Sequence, residues 1–185
     1  MALTESTMLS LGTIAPDFAL ASAVTGKTVR RDDFHGQKGL LVMFICAHCP
    51  YVKHINEGLA ALGKDYATQH IGVVAISSND VNTHPADSPA GLKQQAETFG
   101  FVFPYLYDET QAVAHAYKAA CTPDFFLFDN DMQLVYRGQF DSSRPGNGVP
   151  VTGEDLRAAI DLVLTGKDVP TDQQPSIGCN IKWKG

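Results

Sequence analysis

Leu40-Leu41-Val42-Met43-Phe44-Ile45-Cys46-Ala47-His48-Cys49-Pro50 is the stretch on which the fold turns. Six apolar residues in succession, several bulky or β-branched, predict a strand buried on both faces. The strand runs into Cys-x-x-Cys. Pro50 then stands where a first-turn helix proline is tolerated, because that position has no intrahelical donor to lose. Val52, Ile55, Leu59, Leu62 and Tyr66 follow at helical spacing. Strand, two cysteines, helix: this order puts both sulfurs at a helix N-terminus, where free N–H groups and the helix dipole favour a thiolate. Two such thiols are the minimum apparatus for disulfide exchange. The expectation is an exposed nucleophile at Cys46, a resolving Cys49, and a protonated His48 between them that favours the thiolate.

Cys-x-x-Cys also serves as half of a zinc site, but structural zinc wants a second pair at similar spacing. Cys121 and Cys179 are singletons, and a buried strand is an unusual approach to a zinc knuckle. The chain has 185 residues, 44% hydrophobic and 18% charged, which is ordinary for one globular core. The expectation is one domain over 1–185, with a core of about 12–166 and a tail from 167 to 185. A net charge of -6 with no basic run gives no reason to expect nucleic acid or an anionic membrane as partner. No apolar run is long enough to span a bilayer, and the first residues carry an acid rather than a basic leader. A cytoplasmic location follows as the default, where thiols stay reduced unless they are catalytic or sensing.

Along the chain, residues 1–11 read as a loose lead-in. Phe18 and Leu20, a turn at Thr25-Gly26-Lys27, and Thr28-Val29-Arg30 predict an N-terminal hairpin. Ile71–Ile76 is a second buried strand, so a right-handed βαβ unit is expected. Ser77–Ser88 is a polar loop, and Ser88-Pro89 opens a helix. Asp108 to Gln111 has the spacing of a capping box, with a helix running on to Lys118. Asp124–Phe128 and Gln133–Arg137 predict an antiparallel pair. Thr152 to Asp155 caps a last helix that buries Leu156, Ile160 and Val163 and stops at Gly166.

This order of elements resembles the thioredoxin arrangement: α/β, a central mixed sheet flanked by helices, with an N-terminal β-hairpin and a C-terminal tail. Ala15-Pro16-Asp17-Phe18-x-Leu20 is similar to the opening of the redoxin (AhpC/TSA-like) group, which spans peroxiredoxins and thioredoxin-like proteins. Residues 46–54, 103–109, 121–128, 143–156 and 176–184 resemble the bacterial peroxiredoxin-like thioredoxin proteins. The resemblance implies that Pro123 is the cis-proline facing the cysteines. A cis Thr122-Pro123 bond would let residue 122 offer its N–H and C=O to an extended substrate.

Three functions follow from these residues. The first is a thiol–disulfide oxidoreductase acting on protein or small-molecule disulfides and thiols, restored by a thioredoxin- or glutathione-type reductant, with no cofactor. The second is a thiol peroxidase. Peroxiredoxins use Pro-x-x-x-Thr/Ser-x-x-Cys, but the positions three and seven before Cys46 are Met43 and Gly39, and those before Cys49 are Cys46 and Val42. The third is a metallochaperone holding Cu(I) or zinc on the two cysteines and a histidine. Arg144 and Arg137 are candidates for anion or peroxide contacts. Cys121 sits two residues before Pro123, either as a buried core thiol or as an auxiliary one. His54 and Lys53 lie one turn along the helix from the motif. Ile177, Cys179, Ile181 and Trp183 are too apolar for a free tail, so the tail should fold back. Cys179 then either packs or acts as a third, resolving thiol, and Gly178 would give the backbone freedom to turn before it.

Overall fold

The computed structural model describes residues 2–185; Met1, part of the expected lead-in, lies outside them. The strands and helices are, in order, β1 (Leu3–Glu5), β2 (Ala19–Ala21), β3 (Thr28–Arg30), β4 (Gly39–Phe44), α1 (Pro50–Tyr66), β5 (Ile71–Ser77), α2 (Pro89–Phe99), β6 (Tyr105–Tyr107), α3 (Ala112–Ala116), β7 (Cys121–Thr122), β8 (Asp124–Asp129), β9 (Leu134–Tyr136), α4 (Glu154–Leu164) and β10 (Ile177–Asn180). Short 3-10 turns cover Arg31–Phe34 and Pro85–Asp87.

All six residues of β4 are buried, as the apolar run predicts. The strand is central in a five-stranded sheet of order β6-β5-β4-β8-β9. Val42 lies opposite Val74 of the parallel β5 on one side and opposite Phe126 of the antiparallel β8 on the other. The sheet is therefore mixed, with helices on both faces, as expected of a thioredoxin-like fold. Side chains alternate along β4. Leu41, Met43 and Ile45 join residues of α1, α2 and α4 in one core, while Leu40, Val42 and Phe44 join Val113 and Tyr117 in another. Each fully buried Leu or Phe here contributes about 1.5–3 kcal/mol relative to exposure. The stripe Val52, Ile55, Leu59, Leu62, Tyr66 faces the first core. The N-terminal hairpin forms from β2 and β3.

Two caps differ from the sequence expectation. α2 starts at Pro89 with the Ser88 hydroxyl accepting from the Gly91 N–H at 3.3 Å, as read. In α3, however, the helix begins at Ala112 and ends at Ala116. The Asp108 carboxylate does cap it, accepting from Val113 and Ala114 N–H at 3.4 and 2.9 Å. Gln111 is not its reciprocal partner, because its side-chain amide donates instead to the Ser78 and Lys182 carbonyls at 2.7 and 2.9 Å. At α4, the acceptor for the loop before the helix is the distant Asp141, bonded by Thr152 and Gly153 N–H at 2.7 Å each.

The tail folds back as expected, and the largest departure is that both chain ends form strands. β1 belongs to the supposed lead-in and β10 to the supposed tail, and they form a second sheet of order β1-β10-β7. Cys179 lies between Leu3 on one side and Thr122 on the other. Two independent ends meet there because β10 supplies both edges with backbone partners, which single segments this short could not find alone. The tail stays fixed beyond the strand. Asp80 N–H donates to the Lys182 carbonyl, and Lys182 N–H donates to Asn79 Oδ1, each at 2.8 Å. Trp183 stacks on His115 with centroids 4.2 Å apart.

Candidate active site

Cys46 follows β4 after one residue, Ile45, and Cys49 is the residue at the N-cap of α1. Thr122-Pro123 is a cis peptide, and it faces both thiols. Cys46 Sγ lies 3.4 Å from Thr122 Oγ1, and Cys49 Sγ lies 3.4 Å from the Thr122 carbonyl oxygen. The fold thus brings together Cys46, His48, Cys49, Thr122 and Pro123, and adds Cys179, whose thiol is hydrogen-bonded to the Cys49 sulfur.

Cys46 is not the exposed thiol expected from its sequence position. It is 0% exposed, as is Cys49: Thr122 lies against both sulfurs, Cys179 of β10 lies against Cys49, and Asp87 of the 3-10 turn bonds the Ala47 and His48 N–H groups. Burial pushes the Cys46 thiol well up, helped by its hydrogen bond to Cys49 and by the nearby Asp87 charge. Cys49 is brought down to about 4, chiefly by the hydrogen bond from Cys46, with further help from Cys179, Thr122 and the Val52 N–H. In this closed arrangement Cys49, at the helix N-terminus, is the easier of the two thiols to ionise, and the proton between the sulfurs is favoured on Cys46. Thr122 also departs from expectation: its backbone is already paired in register with Cys179, so the slot for an extended substrate is taken by β10. Gly178 is present for closeness rather than for turning. A Cβ there would lie 1.9 Å from the Thr122 carbonyl oxygen.

Asp87 is the residue that sequence reasoning missed. It is fully buried, and Oδ1 accepts from the Ala47 and His48 N–H groups at 2.8 and 3.0 Å. Oδ2 accepts from His48 Nδ1 at 2.5 Å and from Asn79 Nδ2 at 2.9 Å. His48 Nδ1 also lies 3.7 Å from Cys46 Sγ. The nearer, charged oxygen takes the Nδ1 proton, so His48 is oriented by Asp87 and directs that proton away from Cys46, whose thiolate it was expected to favour. Burial raises the Asp87 carboxyl, but the bonds from His48 and Asn79 outweigh it and hold the group below the usual carboxylate range. Behind the motif, Gln95 donates to the Cys46 carbonyl and to Asn56, and accepts from the Tyr105 hydroxyl. No periodicity flags Asp87, Asn79 or Gln95. Their only signal is polarity inside a loop and on a helix face, and each has a partner 39 or more residues away that helps decide its use.

The other candidates are placed as follows. Arg144 directs its guanidinium to the Asp141 and Ser143 carbonyls and to Gln139 Oε1, and Arg137 to the Leu9 carbonyl and Gln173. Arg144 does, with Tyr51 and Pro123, line a cleft of about 20 Å³ beside the site. The Cys121 thiol donates to the Pro123 carbonyl at 3.5 Å, and burial beside Asp124 pushes it far up. Lys53 and His54 line a different cleft with Glu57 and Phe99. Cys46, His48 and Asp87 offer ligand atoms within 4.8 Å of one another. A metal ion there would have to break the bonds that Asp87 already accepts, so the donors fit hydrogen bonding better than coordination. No helix among the described residues is long and apolar enough to cross a membrane.

The AhpC/TSA family matches residues 11–137, more than half of the chain. The chain belongs to this family. A crystal structure of a conserved protein from Geobacillus kaustophilus is 54% identical and superposes with a TM-score of 0.97, over 100% of this chain and 97% of that one. The thiol-disulfide oxidoreductase ResA of Geobacillus thermodenitrificans is 28% identical over 128 residues, which is 69% of this chain and 68% of ResA. A thiol:disulfide interchange protein of the thioredoxin family from Chlorobium tepidum shares the fold, with a TM-score of 0.64 at 17% identity over 84% of this chain and 98% of that one. The fold is thioredoxin-like, and the chain is a redoxin of this family.

Proposed function

We propose that this redoxin is a thiol–disulfide oxidoreductase that works through Cys46 and Cys49. The observation that carries the reading is the hydrogen-bonded pair of sulfurs at the start of α1, facing the cis Thr122-Pro123 peptide. The relationship to ResA supports the same chemistry. In the reducing direction, displacement of β10 admits a substrate disulfide and solvates Cys46. The proton between the sulfurs then moves to Cys49, because the burial that kept Cys46 protonated is relieved. Cys46 thiolate attacks one substrate sulfur, and the other leaves as a thiolate. Cys49 loses its proton to that leaving group and attacks Cys46, so the second substrate sulfur departs and a Cys46–Cys49 disulfide remains. Two electrons have passed to the substrate, and a thioredoxin- or glutathione-type reductant returns them. The proposal includes a cytoplasmic setting, where such a reductant is available.

The test is a redox titration of the wild-type protein in glutathione buffers, with thiols blocked and peptides mapped by mass. A Cys46–Cys49 linkage that appears and disappears reversibly over a defined potential supports the reading. Two thiols that stay reduced at every poise sink it. One observation favours a second reading, peroxide reduction. Thr122 Oγ1 supplies from β7 the hydroxyl that Met43 lacks. The Arg144 guanidinium is bonded elsewhere, so turnover of hydrogen peroxide should be slow. Fast, saturable consumption in stopped flow would place peroxide first.

A further inference from the structure

We infer that Cys179 is a third redox thiol, and that its partner is Cys49. This rests on the Cys46/Cys49 chemistry proposed above but goes beyond it. Three features carry it. β10 lies in register across from Thr122, the place an incoming strand would take, and holds Cys179 opposite Thr122. Cys46, Cys49 and Cys179 belong to one buried cluster, and Cys49 is hydrogen-bonded to both of the others. Gly178 lets the strand approach Thr122 so closely that no side chain would fit. The fourth cysteine is excluded by its neighbours, since the Cys121 thiol is turned to the Pro123 carbonyl.

The step is an exchange without net oxidation. The Cys179 sulfur attacks Cys49 of the Cys46–Cys49 disulfide. A Cys49–Cys179 bond forms, the Cys46–Cys49 bond breaks, and Cys46 departs with the electron pair. The proton lost by Cys179 ends on Cys46, where burial favours the neutral thiol. Cys179 is a reluctant nucleophile while closed, because burial and the Cys49 charge hold its thiol up at about 12. That charge is absent once Cys49 is in a disulfide, so oxidation of the pair itself favours the attack. The product ties β10 to the start of α1. Oxidised protein with the Cys49–Cys179 bond is thereby shut against substrate, and oxidised protein with the Cys46–Cys49 bond is able to open.

The experiment uses the full-length Cys46→Ser protein, with Cys46→Ala as the alternative if the first does not fold. Each is equilibrated in the glutathione buffer that fully oxidises the wild type, alkylated, digested without reductant and mapped. The expected result is loss of two thiols and a Cys49–Cys179 peptide in most molecules. Amide exchange over Ile177–Asn180 should slow at least tenfold against the reduced variant. Cys49 and Cys179 recovered as separate thiols, as separate glutathione adducts, or in a Cys121–Cys179 linkage would overturn the inference. A wild type that never forms Cys46–Cys49 would instead count against the proposed function, and strongly oxidising diamide would then replace glutathione for the variant.

Discussion

Replacing Asp87 by Asn tests whether the motif loop is held by charge. The carboxylate accepts four hydrogen bonds in a site with no exposure. Asn keeps an oxygen for the two backbone N–H groups of Ala47 and His48. It puts an amino group opposite the two donors on Oδ2, His48 Nδ1 and Asn79 Nδ2. Each buried donor left without an acceptor costs about 1–3 kcal/mol. If His48 changes tautomer, its Nδ1 accepts from the new amide and only Asn79 is orphaned. The two surviving bonds also lose their charge assistance. A loss of about 2–4 kcal/mol is therefore expected. Urea unfolding of the reduced protein at pH 7 should show a lowered midpoint with an unchanged slope. The pH dependence has a definite sign. Asp87 is held below its unfolded value, so its contribution is present above about pH 3.9 and lost as pH falls through the depressed folded value. The gap between wild type and variant should narrow in that acid range. A loss under about 1 kcal/mol at pH 7, or a gap that does not change with pH, would refute the assignment.

Three other outcomes are expected. Thr122→Val removes the hydroxyl 3.4 Å from Cys46, whose hydrogen bonding favours the thiolate form of both Cys46 and Cys49; the couple should become more reducing, by about 30 mV for each 1.4 kcal/mol lost, and an unchanged potential would exclude that role. Asp124 is buried and its carboxyl is pushed up to about 7, so wild-type stability should fall as pH rises from about 4 to 7, while Asp124→Asn should lack this component in paired denaturation curves. Trp183→Ala loses the stack on His115, worth about 0.5–1.5 kcal/mol. Amide exchange over β10 should then quicken roughly 2- to 12-fold, and unaltered exchange would mean that the tail is held by its backbone bonds alone.

The redox motif and its frame were legible because they depend on local rules. An apolar run of strand length, Pro50 and a three–four spacing from Val52 to Tyr66 specify β4 and α1 wherever the rest of the chain goes. The same rules place Ser88 as a cap and Leu156, Ile160 and Val163 in the core. Thr122-Pro123 could be read only through resemblance, since its place opposite the thiols is tertiary.

What the sequence could not decide is who covers the cysteines. Three-residue β1 and four-residue β10 carry almost no periodicity, and such strands acquire meaning only from the edges they meet. The pairing of β10 with β1 and β7 fills the slot beside Thr122 and sets Cys179 against Cys49. Asp87 is invisible for the same reason, because its four donors come from Ala47, His48 and Asn79 on other segments. The sequence by itself determined that two thiols sit between a buried strand and a helix. The tertiary structure decided which of them ionises more readily and what must move before either can react, since burial and long-range hydrogen bonds, unlike helical and strand spacing, are set by residues far apart in the chain.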